Sequence, residues 1–396
     1  MKNLISILTV GLALVTSGAS CGEPVDTLTP MWKATLSDAE REFELKGLTQ
    51  AQPRNDSQGG SARYWGVVGS RPRGKLSGRQ RFETVEIQAN KVQLISELTI
   101  STEPGGSTSP TAVTAMAAAA DGGTWISVLD TSGGSWLLRT DDSGHQVQEA
   151  NRRLPDNVLL IHLVDEDDQS ILGLGTRTGY AYALRFDDTG SPQWEWIGQS
   201  EEHRPDALID AALLTDGTVI VVGQIGGLGA DATQWIGHIG TDGNVLAEYR
   251  TPGRARGIGL GNAGRLGLLS DVGPQAKVQL EILDSDLRPV HSTHLGEVPL
   301  RPVKVPPRLA VASSSGYAVL RVRPGAGLDI AWISSDGEQV VPNKLHAPLA
   351  HSDIVWNDAV VSVEDEMVVG ATVLTVDRQH MEQRQVVHFF GFSRIW

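Results

Sequence analysis

Short runs of alternating apolar and polar residues cover most of this chain, and turn signals separate them. Residues 218–222 (TVIVV) are dense in β-branched side chains and follow Asp216 and Gly217. Residues 234–239 and 244–249 alternate on either side of the next turn. A period of two is typical of strands, and Asp-Gly pairs are typical of hairpin turns. We therefore predict four short antiparallel strands here, and little helix.

The same quartet of strands recurs along the chain. Its marker is a turn of Asp, Ser and Gly that repeats about every 49 residues, near the spacing of propeller blades. The sequence predicts an all-β propeller of four-stranded blades, seven in number, with six or eight left open because the first repeat matches poorly. The predicted blades cover residues 44–100, 107–152, 157–198, 204–251, 254–296, 304–345 and 350–396.

The last repeat lacks an outer strand. Residues 366–369 and 385–389 have strand patterns, but Trp396 is reached without a fourth run. A ring of blades needs closing, because an open sheet edge invites aggregation. We predict that an N-terminal strand within residues 29–36 (TPMWKATL) pairs onto the last blade and brings the two ends of the propeller together.

One repeat carries a fuller motif. Residues 183–194 are ALRFDDTGSPQW, with Asp187 and Gly190 in the turn and Trp194 after it. This segment resembles the tryptophan-docking repeat of quinoprotein-type β-propellers. The looser turn pattern resembles the broad group of exported bacterial propellers of the quinoprotein, PQQ-like or WD40-like type. The resemblance implies that Trp194 packs between neighbouring blades.

The chain has 10 tryptophans, which divide into two expected groups. Those in or beside strands are expected in the core or between blades: Trp125, Trp136, Trp194, Trp235 and Trp332. The others of interest are candidates for surface stacking on a sugar or a peptide: Trp65, Trp196 and Trp356.

The N-terminus has the anatomy of an export signal. Lys2 precedes an uncharged run at residues 4–15, which is shorter than the ~20 apolar residues of a membrane span. Residues 18–21 (GASC) resemble a bacterial lipobox, which implies that the thiol of Cys21 receives a lipid. The alternative is ordinary signal-peptidase cleavage nearby. Cys21 is the only cysteine, so no intrachain disulfide can form and the fold depends on its core.

These features predict an organisation and a location. Residues 1–20 form a signal peptide, residues 21–38 a lipid-anchor tether that includes the closing strand, and residues 39–396 the propeller. We expect an exported protein in the bacterial periplasm, outer membrane or cell surface, with membrane contact through the N-terminal lipid anchor only.

Charge and motifs exclude several function classes. The net charge of −14 argues against a nucleic-acid partner, because phosphate binding needs a basic face. No HExxH, CxxC, GxSxG or Walker A motif occurs, and we assign no catalytic, cofactor-binding or metal-binding residue. A strand pattern, not a helix, follows the glycines of residues 253–264, so we interpret them as close blade packing and not as a phosphate loop.

Candidate clusters fall in the predicted connections. Acidic runs at residues 165–168 and 364–366 are either calcium-binding loops or solvated hairpin tips. Residues 71–81 carry five positive charges and no negative one. This segment is either a patch that binds lipid headgroups or an acidic partner, or a flexible solvated loop. His291 and His294 lie in a strand-to-loop stretch. Three histidines lie between repeats: His203, His346 and His351.

We expect a lipid-anchored protein- or ligand-binding scaffold at the cell envelope, whose partner is an envelope protein or a small ligand. One alternative is a propeller enzyme, a quinone-dependent dehydrogenase or a glycan-active lyase or hydrolase. Its site at the channel mouth would bring together His203, His351, Asp167 and an arginine. Another alternative is a subunit of an envelope assembly, marked by an exposed apolar or basic patch at a blade rim.

Overall fold

The structure is a computed structural model of the chain. It describes residues 30–38, 40–51, 62–73, 80–89, 91–102, 106–165, 170–198, 205–225, 232–273, 277–297, 308–312, 316–323, 327–346, 352–361, 367–377 and 382–392. The predicted signal peptide and Cys21 lie outside these ranges.

Strands make up most of the described chain, with two short 3-10 helices at Gln148–Ala150 and Asn262–Gly264. The first strands are β1 (Trp32–Leu36), β2 (Arg41–Gln50), β3 (Tyr64–Pro72), β4 (Arg81–Gln88), β5 (Lys91–Glu97), β6 (Ile100–Thr102), β7 (Gly106–Thr108), β8 (Ala112–Ala118), β9 (Thr124–Leu129), β10 (Ser135–Thr140), β11 (Arg152–Arg153), β12 (Val158–Asp165), β13 (Ile171–Arg177), β14 (Tyr180–Phe186) and β15 (Pro192–Ile197). The remaining strands are β16 (Ala207–Leu213), β17 (Val219–Ile225), β18 (Thr233–Ile239), β19 (Val245–Pro252), β20 (Arg254–Leu260), β21 (Leu266–Val272), β22 (Lys277–Leu283), β23 (Pro289–Glu297), β24 (Arg308–Ala312), β25 (Gly316–Arg323), β26 (Gly327–Ser334), β27 (Val340–His346), β28 (Ser352–Val361), β29 (Met367–Asp377) and β30 (Glu382–Phe392).

Seven antiparallel four-stranded sheets form the blades of a ring. Blades 1 to 6 are β2–β5, β8–β11, β12–β15, β16–β19, β20–β23 and β24–β27, and blade 7 has the order β28-β29-β30-β1. The first strands of neighbouring blades contact one another in a closed circuit, β2, β8, β12, β16, β20, β24, β28 and back to β2. The prediction of an all-β propeller is confirmed, and the blade number is seven.

The N-terminal strand closes the ring as the sequence predicts. Strand β1 pairs with β30 in a register that runs from Trp32 opposite Gly391 to Leu36 opposite Val387. This pairing covers the edge that the last blade would otherwise expose. On the same seam, the Oγ1 of Thr35 lies 2.9 Å from the Nδ1 of His388.

Among the described residues, seven hydrophobic clusters form the core, one at each interface between blades. The cluster between blades 1 and 2, for example, joins Val67 and Phe82 to Ile126 and Val128. The cluster at the seam joins Leu36 and the last blade to blade 1. Because each blade is buried on both faces, second strands such as β13 (ILGLGTR) and β17 (VIVVGQI) are nearly continuously apolar and not strictly alternating.

Turns of one blade dock on tryptophans of the blade before it. A Cβ at Gly243 would lie 3.2 Å from the Cδ2 of Trp194, which confirms the packing that the motif implies. Gly190 contacts Trp125 in the same way, and Gly144 contacts Trp65. These three glycines have φ between 77° and 82°, a region that other residues enter only with strain.

Two tryptophan predictions are wrong. Trp65 is 1% exposed and donates from Nε1 to the carbonyl of Gly122 in the next blade at 2.8 Å. Trp196 is also buried and stacks on Trp235, with ring centroids 5.6 Å apart. Each indole therefore serves blade packing and not surface stacking. The side chain of Trp356 lies outside what the structure describes.

Two glycines of residues 253–264, Gly257 and Gly259, pack between blades as predicted. A Cβ at Gly257 would lie 3.0 Å from the Oδ2 of Asp210 and 3.3 Å from the Cβ of Leu309. The neighbouring Gly259 lies against Val311. Glycine thus lets the inner strands of blades 4, 5 and 6 approach one another near the axis.

Candidate binding site in the central channel

The inner strands share an irregularity that faces the channel. In six blades the register with the second strand shifts by one residue at the same place. The seventh is blade 6, and the described part of its inner strand starts at Arg308. A bulge of this kind bends the strand and redirects a side chain. The bulged residues are Lys46, Thr114, Ile161, Ile209, Arg256 and Val355.

A cavity of about 340 Å³ lies among the inner strands of blades 1 to 6. This volume is within the range of small-molecule sites, roughly 300–1,000 Å³. Its apolar wall includes Met116, Ile161, Ile209 and Leu309, and Ile161 is 40% exposed. Its polar lining consists of Lys46, Thr49, Thr114, His162, Asp165, Asp210 and Arg256.

Asp210 joins three blades at the channel wall. Its Oδ1 lies 2.8 Å from the Nε2 of His162 in blade 3. Its Oδ2 accepts the backbone N–H of Ile258 in blade 5 at 2.9 Å, and Oδ1 also accepts the N–H of Ala211 at 2.9 Å. Ile258 follows the bulge of blade 5, so the carboxylate binds an N–H beside a disrupted ladder.

Arg256 is held by a buried partner. Its Nε donates to the Oδ2 of Asp271 at 2.7 Å, and its Nη2 donates to the same oxygen. The Asp271 side chain is 3% exposed, whereas that of Arg256 is 23% exposed. The other carboxylate oxygen of Asp271 is buried without a hydrogen bond among the described residues. Asp271 therefore fixes the guanidinium from behind the channel wall.

The two other polar bulge residues are partly engaged. The Nζ of Lys46 lies 2.7 Å from the Oε1 of Glu44 on the same strand. The Oγ1 of Thr114 donates toward Ser127, with distances of 3.2 Å to its carbonyl and 3.0 Å to its hydroxyl. Positive side chains thus come from blades 1 and 5, and acidic ones from blades 3 and 4.

Among the polar channel residues, Asp165 belongs to the acidic run at residues 165–168 that the sequence analysis names, and the others were not predicted as candidates. His162 and Asp210 stand in otherwise apolar runs, VLLIHLVD in β12 and ALIDAAL in β16. Each of their neighbours Ile161 and Ile209 lies four residues before the end of its inner strand, as Arg256 does in blade 5. The polar residue directly after this position, three residues before the strand end in blades 3 and 4, is the sequence signal that indicates the site.

Most of the predicted candidates lie elsewhere. His203, His351, Asp167 and residues 364–366 fall outside the described residues, as does the side chain of His346. His291 and His294 are in β23, on the outer strand of blade 5. The described residues contain no group of three or more His, Cys, Asp or Glu side chains placed to hold a metal ion.

The predicted basic hairpin lies between the second and third strands of blade 1. Arg71 pairs with Glu42 at 3.0 Å and Arg81 with Glu97 at 3.6 Å. Residues 74–79 lie outside the described residues. Arg71 and Arg81 therefore have acidic neighbours, which reduces the positive field that the sequence predicts.

Three exposed apolar side chains mark the rim of blades 4 to 6. Leu246, Val290 and Val340 are 58%, 53% and 39% exposed. Each lies three residues after the docking turn, at the start of its outer strand. Each of these blades has one such residue. Single exposed apolar residues are common on protein surfaces and do not form a patch.

The fold resembles solved propellers. The WD40 domain of Toxoplasma gondii coronin is 8% identical, with a TM-score of 0.50 over 93% of this chain and 89% of that one. A putative 6-phosphogluconolactonase from Bacteroides uniformis is 10% identical, with a TM-score of 0.50 over 88% and 95%. A protein of unknown function from Dyadobacter fermentans is 12% identical, with a TM-score of 0.49 over 92% and 99%.

This chain has the fold of a seven-bladed, WD40-like β-propeller. At these identities the likeness concerns the fold alone. No protein-family model matches the sequence, and no curated protein matches it. Across the described ranges, no helix has the length and apolar character needed to cross a membrane.

Proposed function

We propose that this propeller is a binding module of the bacterial cell envelope, which holds a small ligand in the channel cavity. A signal peptide at residues 1–20 would direct export, and a lipid on Cys21 would hold the protein at a membrane surface. The observation that carries the binding role is the cavity of about 340 Å³, to which six blades contribute. A cavity built on strands is held more rigidly than one built on loops.

The binding role is tested by a ligand screen with a variant that fills the cavity. The purified full-length protein is screened by ligand-observed NMR against small metabolites. Replacing Ile161 by Trp places an indole in the cavity, since this side chain is 40% exposed there. Leu246→Trp makes the same kind of change on the rim and is the control. We expect bound compounds to be lost in Ile161→Trp and kept in Leu246→Trp; equal binding by both variants would disprove a channel site.

The anchor has its own test. Mass spectrometry of the mature N-terminus should find a lipid on Cys21, and Cys21→Ser should release the protein from the membrane fraction. A mature chain that begins elsewhere, or an unmodified thiol, would refute the lipoprotein assignment. Crosslinking in intact envelopes, with Cys21→Ser as the control, would identify a protein partner if the scaffold includes one.

An enzymatic role is the second candidate, and one observation favours it. The His162 imidazole and the Asp210 carboxylate lie 2.8 Å apart in the cavity wall. An imidazole oriented by a carboxylate is the usual arrangement of a general base. An NMR time course would distinguish the two roles. If the protein is an enzyme, His162→Gln should abolish conversion of a bound compound; a compound that stays unchanged over hours supports binding alone.

A further inference from the structure

The polar side chains of the channel cavity differ in how far other groups of the protein already bind them. Three donors already approach the Asp210 carboxylate: the Nε2 of His162 and the backbone N–H groups of Ala211 and Ile258. The hydroxyl proton of Thr114 is directed to Ser127. The carboxylate that joins blades 3 to 5 is therefore occupied by groups of the protein itself.

Donors remain at the two cationic bulge residues. A guanidinium has five N–H groups. In Arg256, the Nε and Nη2 groups donate hydrogen bonds to one oxygen of Asp271. Its other N–H groups have no partner among the described residues. Lys46 has three N–H donors, and its one described partner is Glu44. The N–H groups that remain at Arg256 and Lys46 therefore suit a ligand that carries acceptor oxygens.

We infer that the cavity binds the oxyanion of a small organic acid, a carboxylate or a phosphate, on the guanidinium of Arg256, with Lys46 as a second positive group. The inference rests on the proposed binding role of the cavity. A planar guanidinium matches the oxygens of both groups, and such charge-assisted hydrogen bonds are short and strong. Met116, Ile209 and Leu309 supply an apolar wall for the carbon skeleton.

Asp271 is the positioning residue of this site. It is buried and touches Arg256 at Nε and Nη2, so it fixes the plane of the guanidinium without facing the cavity. A fixed plane lowers the entropy lost when the ligand binds. The pair is neutral as a whole, so we expect binding through directed hydrogen bonds more than through a strong positive field.

The probes are pairs that differ in the anionic group alone. Isothermal titration of the full-length protein compares glycerol 3-phosphate with glycerol, and succinate with succinamide. We expect at least one anion to bind tenfold or more tightly than its neutral partner, and binding to weaken as sodium chloride is raised. Whichever pair shows the difference identifies phosphate or carboxylate as the group recognised.

Variants then locate the anion. Arg256→Lys keeps a cation beside Asp271 but loses the planar donors, and it should weaken binding about 10- to 100-fold. Arg250→Lys is the control, because Arg250 pairs with Glu248 on the outer strand of blade 4. Asp271→Asn should also weaken binding. Adding Asp271→Asn to Arg256→Lys should weaken it no further, because Asp271 acts through the guanidinium.

The outcomes separate this inference from the function on which it rests. If neutral compounds bind in a way that Ile161→Trp abolishes while neither anion is preferred, the oxyanion assignment is wrong and the binding role stands. If Arg256→Lys and Arg250→Lys weaken anion binding equally, the site is not at Arg256. If no compound binds in a way that depends on Ile161, both the inference and the proposed function fail.

Discussion

The interfaces between blades and the wall of the channel are built from the same repeated strands, yet they use them in different ways. At the interface of blades 1 and 2, Trp65 is 1% exposed and packs against the turn at Gly144. At the channel, the bulge position is polar in three blades, with Lys46, Thr114 and Arg256, and aliphatic in three others. The repeat therefore specifies the ring, and variation at the bulge and at the residue after it sets much of the chemistry of the cavity.

The largest expected effect is at the interfaces between blades. Trp65→Ala should lower the free energy of unfolding by about 3–5 kcal/mol, because it leaves a cavity between two blades. The variant also removes the hydrogen bond from Nε1 to the carbonyl of Gly122. Urea denaturation followed by circular dichroism measures the change.

Trp136 is the matched control for this substitution. It is half-buried, and its Nε1 donates to Asp130 within the same blade at 3.0 Å. Trp136→Ala should therefore cost about 1–2 kcal/mol. Equal losses in the two variants would mean that the docked indole of Trp65 contributes no more to stability than the half-buried indole of Trp136.

The second prediction separates backbone strain from blade packing. Gly144 and Gly133 both have a φ of 81°, so alanine meets the same strain at both, about 1 kcal/mol. At Gly133 a new Cβ would meet no atom within 4 Å, whereas at Gly144 it would lie 2.6 Å from the Cζ3 of Trp65. Gly144→Ala should thus destabilise the protein by about 2–3 kcal/mol and Gly133→Ala by about 1. Similar unfolding free energies would show that the turn yields without disturbing the indole.

The third prediction concerns the seam that closes the ring. Burial, with a smaller repulsion from Lys33, lowers the pKa of His388 from 6.5 to about 3. Below pH 6.5 the unfolded chain therefore binds a proton that the folded chain does not, so stability falls as the pH decreases toward 3. Between pH 7 and pH 5 the loss from this histidine should be about 2 kcal/mol.

Two variants assign that loss to the imidazole. His388→Gln removes the titrating group, and its stability should change by about 2 kcal/mol less than that of the wild type over the same pH interval. Thr35→Val keeps the histidine but removes the 2.9 Å contact to its Nδ1. It should lower the unfolding free energy by about 1 kcal/mol at both pH values. A wild-type pH profile in His388→Gln would place the acid sensitivity outside the seam.

Most of the ring could be predicted because its signals are local. Asp187 and Gly190 form a turn that their own side chain and backbone favour, and the strands on either side alternate. The closing strand followed from an unpaired edge, which is a physical requirement that the sequence alone reveals. The burial of Trp65 could not be predicted, since it depends on a turn about 80 residues further along the chain, at Gly144.

The channel site could not be predicted for a different reason. A bulge changes which residues share a face, but these inner strands are largely apolar on both faces, so the bulge at Ile209 leaves no visible break in the sequence. Interpretation from the sequence turned to histidines in connections, such as His203, because loops carry most functional residues. In this protein His162 lies within a strand, and the ring of inner strands brings it to Asp210.

The smallest expected effect completes the comparison from the channel side. His162 is 37% exposed at its side chain, so His162→Gln removes little buried surface and should lower the free energy of unfolding by less than ~1 kcal/mol. Asp210 would keep the backbone donors of Ala211 and Ile258. Urea denaturation measures the free energies of unfolding of His162→Gln and Trp65→Ala side by side. A loss as large as that of the tryptophan variant would mean that the contact between His162 and Asp210 supports the ring itself, and the division between a structural interface and a chemical channel would no longer hold.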